Sequence, residues 1–164
     1  MKAIYIGLLA LVLGSCQPTT PAEPQVKMVQ YEALQEIIDQ RDDRLYVVNF
    51  WATWCKPCIE ELPDFMAVNS AYEDDKKFKM ILVSLDRPKD FETVMKPFLS
   101  AHQIVTDVYL LDDNKRMNTW IPAFDPRWSG AIPATFLYKN GEKRVFVEQS
   151  LSKSELEALI KTHL

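Results

Sequence analysis

Two rhythms of apolar and polar positions run along this chain, and the switches between them mark its elements. Val26 to Val29 reads as a short edge strand. Tyr31, Leu34, Ile37 and Ile38 then recur at helical spacing, and Arg41-Asp42-Asp43 closes that helix. Leu45-Tyr46-Val47-Val48-Asn49-Phe50 is an apolar run rich in β-formers, as expected of a strand covered on both faces. The spacing next predicts a helix that carries Ile59, Leu62, Phe65 and Met66 inward, with Pro63 inside it as a kink. Met80 to Leu85 is a second buried strand, Phe91, Val94, Met95, Phe98 and Leu99 mark another amphipathic helix, and Val108 to Leu111 is a short strand. Asp112 to Trp128 has a weaker pattern, which predicts a short helix over Asn114 to Trp120 and then an irregular aromatic stretch. Ala134 to Tyr138 and Lys143 to Val147 flank Asn140-Gly141, the pair a type I′ hairpin turn needs because both central residues take positive φ. Ser152 and Glu155 form a capping box ahead of a last helix that buries Leu156, Leu159 and Ile160. This order predicts an α/β fold. Its central sheet is mixed, parallel in its first half and antiparallel in its second, with helices on both faces.

The start of the chain follows different rules. Met1-Lys2 is a short positive opening, and Ala3 to Leu13 is almost purely apolar. That stretch is too short to span a bilayer at roughly 20 residues, but it suits the apolar region of a signal peptide. Leu13-Gly14-Ser15-Cys16 resembles the lipobox of bacterial lipoproteins. The expected organisation is a lipoprotein signal peptide over 1–15, a lipidated Cys16 with a Pro-rich linker over 16–25, and a single domain over 26–164. An uncleaved anchor, or a secreted protein with a stray thiol, is the alternative at Cys16. The chain has 164 residues, 48% of them hydrophobic, enough for one core. The net charge of −4, with no long Lys/Arg run, argues against a nucleic-acid surface.

Chemistry concentrates at Trp51-Ala52-Thr53-Trp54-Cys55-Lys56-Pro57-Cys58, between a strand and a helix. The spacing lets one thiolate attack a disulfide and the second thiol resolve the mixed disulfide. Cys55 stands just before the helix, where unpaired N–H groups and the dipole stabilise a thiolate, so Cys55 is the expected nucleophile and Cys58 the resolving thiol. Pro57 suits the first helical turn, and Lys56 adds a weak positive charge. A zinc site would need two more ligands than the chain places nearby, and haem attachment would need histidine where Ile59 stands. No metal and no cofactor is expected. An inert structural disulfide remains an alternative for the pair.

Asn49-Phe50-Trp51-Ala52-Thr53-Trp54-Cys55-Lys56-Pro57-Cys58 resembles the thioredoxin superfamily, and within it the TlpA/ResA-like extracytoplasmic thiol–disulfide oxidoreductases. The resemblance runs from about Leu45 onward and implies a thioredoxin-like fold. Ala131-Ile132-Pro133-Ala134-Thr135 matches the family's cis-proline segment. The resemblance implies that Pro133 packs over Cys55, that Ile132 offers backbone hydrogen bonds to an extended substrate, and that Trp54 flanks the groove. Trp128 is a candidate for the same surface, with core packing the alternative there and the expectation for Trp51 and Phe124. Thioredoxins proper place an aspartate where this chain has Asn49, which cannot take a proton. The TlpA/ResA-like branch uses a glutamate three residues past the second cysteine. Glu61 fills that position, partly buried, as a relay for the proton of Cys58 or a charge that raises thiol pKa values. An ordinary solvated helix glutamate, like Glu60, is the alternative.

The function implied is exchange of disulfides with partner proteins outside the cytoplasm, most simply as a reductase recharged by a thiol electron donor. The protein would be a monomer held to the bacterial cell envelope by its lipid. A disulfide oxidase or isomerase and a redox-silent binding module are the rivals. A thiol peroxidase would show Pro-x-x-x-Thr-x-x-Cys, and no such run occurs.

Overall fold

The structure, a computed structural model, describes residues 25–164. The expected signal peptide, Cys16 and nearly all of the expected linker lie outside the described residues. Six strands form one sheet: β1 (Val26–Val29), β2 (Leu45–Trp51), β3 (Phe78–Ser84), β4 (Asp107–Leu111), β5 (Ala134–Lys139) and β6 (Glu142–Val147). Their spatial order is β1-β4-β3-β2-β5-β6. The first four are mutually parallel, while β5 is antiparallel to both β2 and β6, the mixed sheet that the sequence pattern implies. Asn140 and Gly141 both take positive φ, 54° and 75°, so the β5–β6 turn has the backbone that its residues favour.

Alternation along the strands divides the helices between two faces. Tyr46, Val48 and Phe50 of β2 face one side with Ile81, Val83 and Phe136. Helices α1 (Tyr31–Ile38) and α4 (Met117–Phe124) cover that side with Leu34, Ile38, Trp120 and Phe124. Leu45, Val47 and Trp51 face the other side. There α2 (Lys56–Ala71), α3 (Lys96–Ala101) and α5 (Lys153–His163) bury Cys58, Leu62, Phe65, Leu99, Leu156 and Ile160. Among the described residues no helix is long and apolar enough to cross a membrane.

Several local expectations are corrected. In helix α2, Pro63 sits on the exposed face, and the buried side carries Glu61 and Val68 while Ile59 and Met66, expected inward, are half-buried. The helix expected from Phe91 opens as a π-turn over Phe91–Met95, and Val94 is exposed, because the extra residue in that turn rotates it off the buried stripe. The segment after β4 is more ordered than its pattern implied. A 3₁₀ turn at Asn114–Arg116 leads into α4, which continues past Trp120 to Phe124 because these two rings, four residues apart, enter the same core. Trp128 is not a surface residue. Its ring packs 4.8 Å from that of Phe50 and is buried.

Candidate active site

The end of β2 delivers the dithiol. Trp51 is the last strand residue, the chain turns, and α2 begins at Lys56 with Cys55 as its N-cap. Cys55 and Cys58 form a disulfide. The Cys58 N–H points at Cys55 Sγ, 3.4 Å away, so the helix start already directs a backbone donor at this sulfur. Cys58 is fully buried, whereas Cys55 keeps 6% exposure, the asymmetry expected of an attacking and a resolving sulfur. Pro57 lies in the first helical turn, where no intrahelical bond is lost. Lys56 pairs with Glu60 at 3.6 Å, both side chains exposed, and so is directed along the helix surface.

Sheet register brings the second segment to the dithiol. Phe50 pairs with Ala134 in the antiparallel β2–β5 ladder, so Ile132 and Pro133, just before β5, lie beside the turn that follows β2. The Ile132–Pro133 peptide is cis, and the Ile132 carbonyl oxygen lies 3.6 Å from Cys55 Sγ. Trp54 stands next to them, 67% exposed. Trp54, Leu85, Arg87, Met117, Gly130 and Ile132 line a cavity of about 330 Å³ beside the dithiol.

Glu61 is buried, only 4% exposed, and is not a solvated helix residue. Its Oε1 accepts from Asn49 Nδ2 and its Oε2 from the Leu151 N–H, both at 2.9 Å. Asn49 Nδ2 also donates to Thr135 Oγ1 at 3.1 Å. No cation reaches the carboxylate in these contacts. Burial therefore dominates and pushes Glu61 up to about 7, with the two hydrogen bonds opposing it. Glu61 lies three residues past Cys58 on the buried side of α2. Among the described residues no cluster of His, Cys, Asp and Glu is arranged to hold a metal ion.

A family model described as the AhpC/TSA family matches residues 25–143, well over half of the chain. The chain belongs to the AhpC/TSA family. Its architecture is thioredoxin-like. A thioredoxin-family thiol:disulfide interchange protein from Chlorobium tepidum superimposes with a TM-score of 0.60 at 23% identity, covering 74% of this chain and 80% of the other. StoA of Bacillus subtilis superimposes with a TM-score of 0.54 at 21% identity, covering 72% and 83%. In sequence, the sporulation thiol-disulfide oxidoreductase A of Bacillus subtilis is 27% identical over 115 residues, 67% of this chain and 69% of that protein. The thiol-disulfide oxidoreductase ResA of Geobacillus kaustophilus is 32% identical over 114 residues, 67% of this chain but 58% of that protein.

This AhpC/TSA member also relies on residues that no motif announced. Asp86, buried at the end of β3, accepts from the Thr53 N–H at 3.0 Å, from Thr53 Oγ1 at 2.7 Å and from Ser84 Oγ at 2.8 Å. It ties the turn before Cys55 to the sheet. Its position two residues past Ser84, at the end of an apolar strand and beside the parallel neighbour that carries the dithiol, was the available signal. Glu148 does comparable work on the other loop, beyond the matched segment.

Proposed function

We propose that this protein exchanges disulfides with partner proteins outside the cytoplasm through Cys55 and Cys58, working as a reductase. The Cys55 thiolate attacks one sulfur of a partner disulfide, and the other partner sulfur leaves as a thiolate that takes up a proton. Cys58 then loses its proton and attacks Cys55 Sγ. The second partner thiol leaves, the Cys55–Cys58 disulfide forms, and two electrons have passed to the partner. A thiol electron donor returns the dithiol to its reduced form. Glu61, with a proton affinity near neutrality, takes the proton of Cys58. Trp54, Ile132 and Pro133 border the groove in which the partner segment lies, and the Ile132 backbone pairs with it. Lipidation at Cys16 would hold the domain to the cell envelope, in keeping with the lipobox-like run.

One observation carries this reading: Cys55 is the N-cap of α2, with the Cys58 N–H on its sulfur and the carbonyl of Ile132 beside it. Two listeners to that site, a resolving cysteine and a buried carboxylate, lie on the same helix. Replacing Cys55 with Ser should abolish reduction of a disulfide-bonded protein, and unchanged turnover would refute the mechanism. A reduction potential near thioredoxin's, about −270 mV, supports the reductase, whereas one near −120 mV would make the protein an oxidase.

A further inference from the structure

The loop that carries Ile132 is not held by its own sequence alone. The Val147–Thr135 pair in the β5–β6 ladder sets Glu148 beside the approach to β5. Its Oε1 accepts from the Ser129 N–H at 3.1 Å and from the Ala131 N–H at 3.2 Å, and the Ser129 hydroxyl donates to the same oxygen. From the other side, Trp128 Nε1 donates to the Ala131 carbonyl at 2.8 Å. Ala131 is thus fastened at both its N–H and its C=O, one residue before Ile132. Gly130 between them takes φ +90°, and a Cβ there would come within 3.0 Å of Ile121 Cδ1, so the loop also lies close against α4. Hydrogen bonds to a carboxylate are stronger than those between neutral groups, and here a single side chain gathers three donors from one loop.

Building on the exchange reading above, we propose that Glu148 is a positioning residue: it holds Ser129-Gly130-Ala131 in the conformation that presents the Ile132 backbone to an extended partner segment. Glu148 lies just past β6, outside the 25–143 segment that the family model matches. A partner polypeptide needs the presented backbone. A small disulfide needs only an accessible Cys55. The clamp should therefore act on binding of extended substrates and leave the chemistry of the sulfurs untouched.

The test compares the reduced full chain with Glu148→Ala and Glu148→Gln variants on two probes. One is a synthetic peptide with a disulfide flanked by several residues on each side, and the other is 5,5′-dithiobis(2-nitrobenzoic acid). For Glu148→Ala the peptide KM should rise roughly tenfold, as loss of charge-assisted hydrogen bonds implies. Its kcat, the rate with the small disulfide and the equilibrium constant for exchange with a reference dithiol should stay within about twofold of wild type, a change too small to count as loss of a hydrogen bond. Glu148→Gln keeps an acceptor oxygen and should recover part of the loss. Ser129→Ala, which removes one of the three donors and leaves β6 intact, should show the same split if Glu148→Ala fails to fold. An unchanged peptide KM, or equal losses on both probes, would overturn the clamp while the exchange reading stood. A wild type inert to both probes would overturn the exchange reading and the clamp with it.

Discussion

Two carboxylates in this protein have almost no exposed surface and behave in opposite ways. Glu61 is 4% exposed and Asp125 1%. Glu61 faces only neutral donors, an amide and a backbone N–H, so burial wins and its proton affinity rises to about 7. Asp125 lies just under the surface beneath two cations. Arg127 reaches both of its oxygens at 2.9 Å and Lys143 reaches Oδ2 at 2.7 Å, which holds its carboxyl well below the usual carboxylate range. Lys143 also donates to the Phe124 carbonyl at 2.6 Å, so the Asp125 cluster pins the end of α4 to the hairpin. Burial alone therefore does not decide what a carboxylate does. Depth and the charge of its partners together push the proton affinity of one up toward neutrality and make the other a structural tie.

The largest expected effect separates the two through stability. The folded-state pKa of Glu61 lies above its unfolded value of about 4.5, so the native state binds more protons between about pH 4.5 and 7. Its contribution is fully present below that window and is lost as pH rises through it, by about 3 kcal/mol for a shift of this size. Urea unfolding of wild type and Glu61→Gln from pH 4 to 8 should show their difference move against wild type as pH rises, and parallel curves would break the contrast. Asp125 has the opposite sign. Its contribution is present above its unfolded pKa and is lost only as pH falls below about 4.

Next in size is a rate effect. Glu61→Gln should slow the Cys58 resolution step roughly 10²-fold and flatten its rise through neutral pH, as stopped-flow release of a preformed mixed disulfide would show. Asp125→Ala should leave that pH profile unchanged and lower stability by about 2 kcal/mol, less than for a deeply buried pair because Arg127 stays solvated. Thermal melts check it. Smallest is Lys56→Ala. With an exposed i,i+4 partner it should change stability by no more than about 0.5 kcal/mol, measured in the same melts.

Much of this was legible in the sequence, for reasons that can be located. The strands around the dithiol, the Asn140-Gly141 turn and the Ser152–Glu155 capping box are set by local chemistry, and the structure shows each of them. Cys55 at the start of α2 follows from the same local logic. Less was legible where long-range pairing decides. Trp128 looks like a surface aromatic until β2 and β5 bring Phe50 and Phe136 beneath it. Val94 fits a helical stripe until the π-turn shifts the register. Asp86 and Glu148 look like ordinary solvated acids, because the loops they hold are 33 and 17–19 residues away in the chain. The resemblance named Glu61 as a candidate, but its depth of burial and its neutral partners appear only once α2 and the segment before α5 are packed together.

The most direct measurement is mixed-disulfide trapping with single-cysteine variants at the site, read by mass spectrometry. Cys58→Ser incubated with an oxidised peptide should accumulate an adduct on Cys55, whereas Cys55→Ser should form almost none on Cys58, because that sulfur is fully buried. An adduct that forms equally fast on Cys58, or none on Cys55, would contradict the assignment of Cys55 as the attacking sulfur.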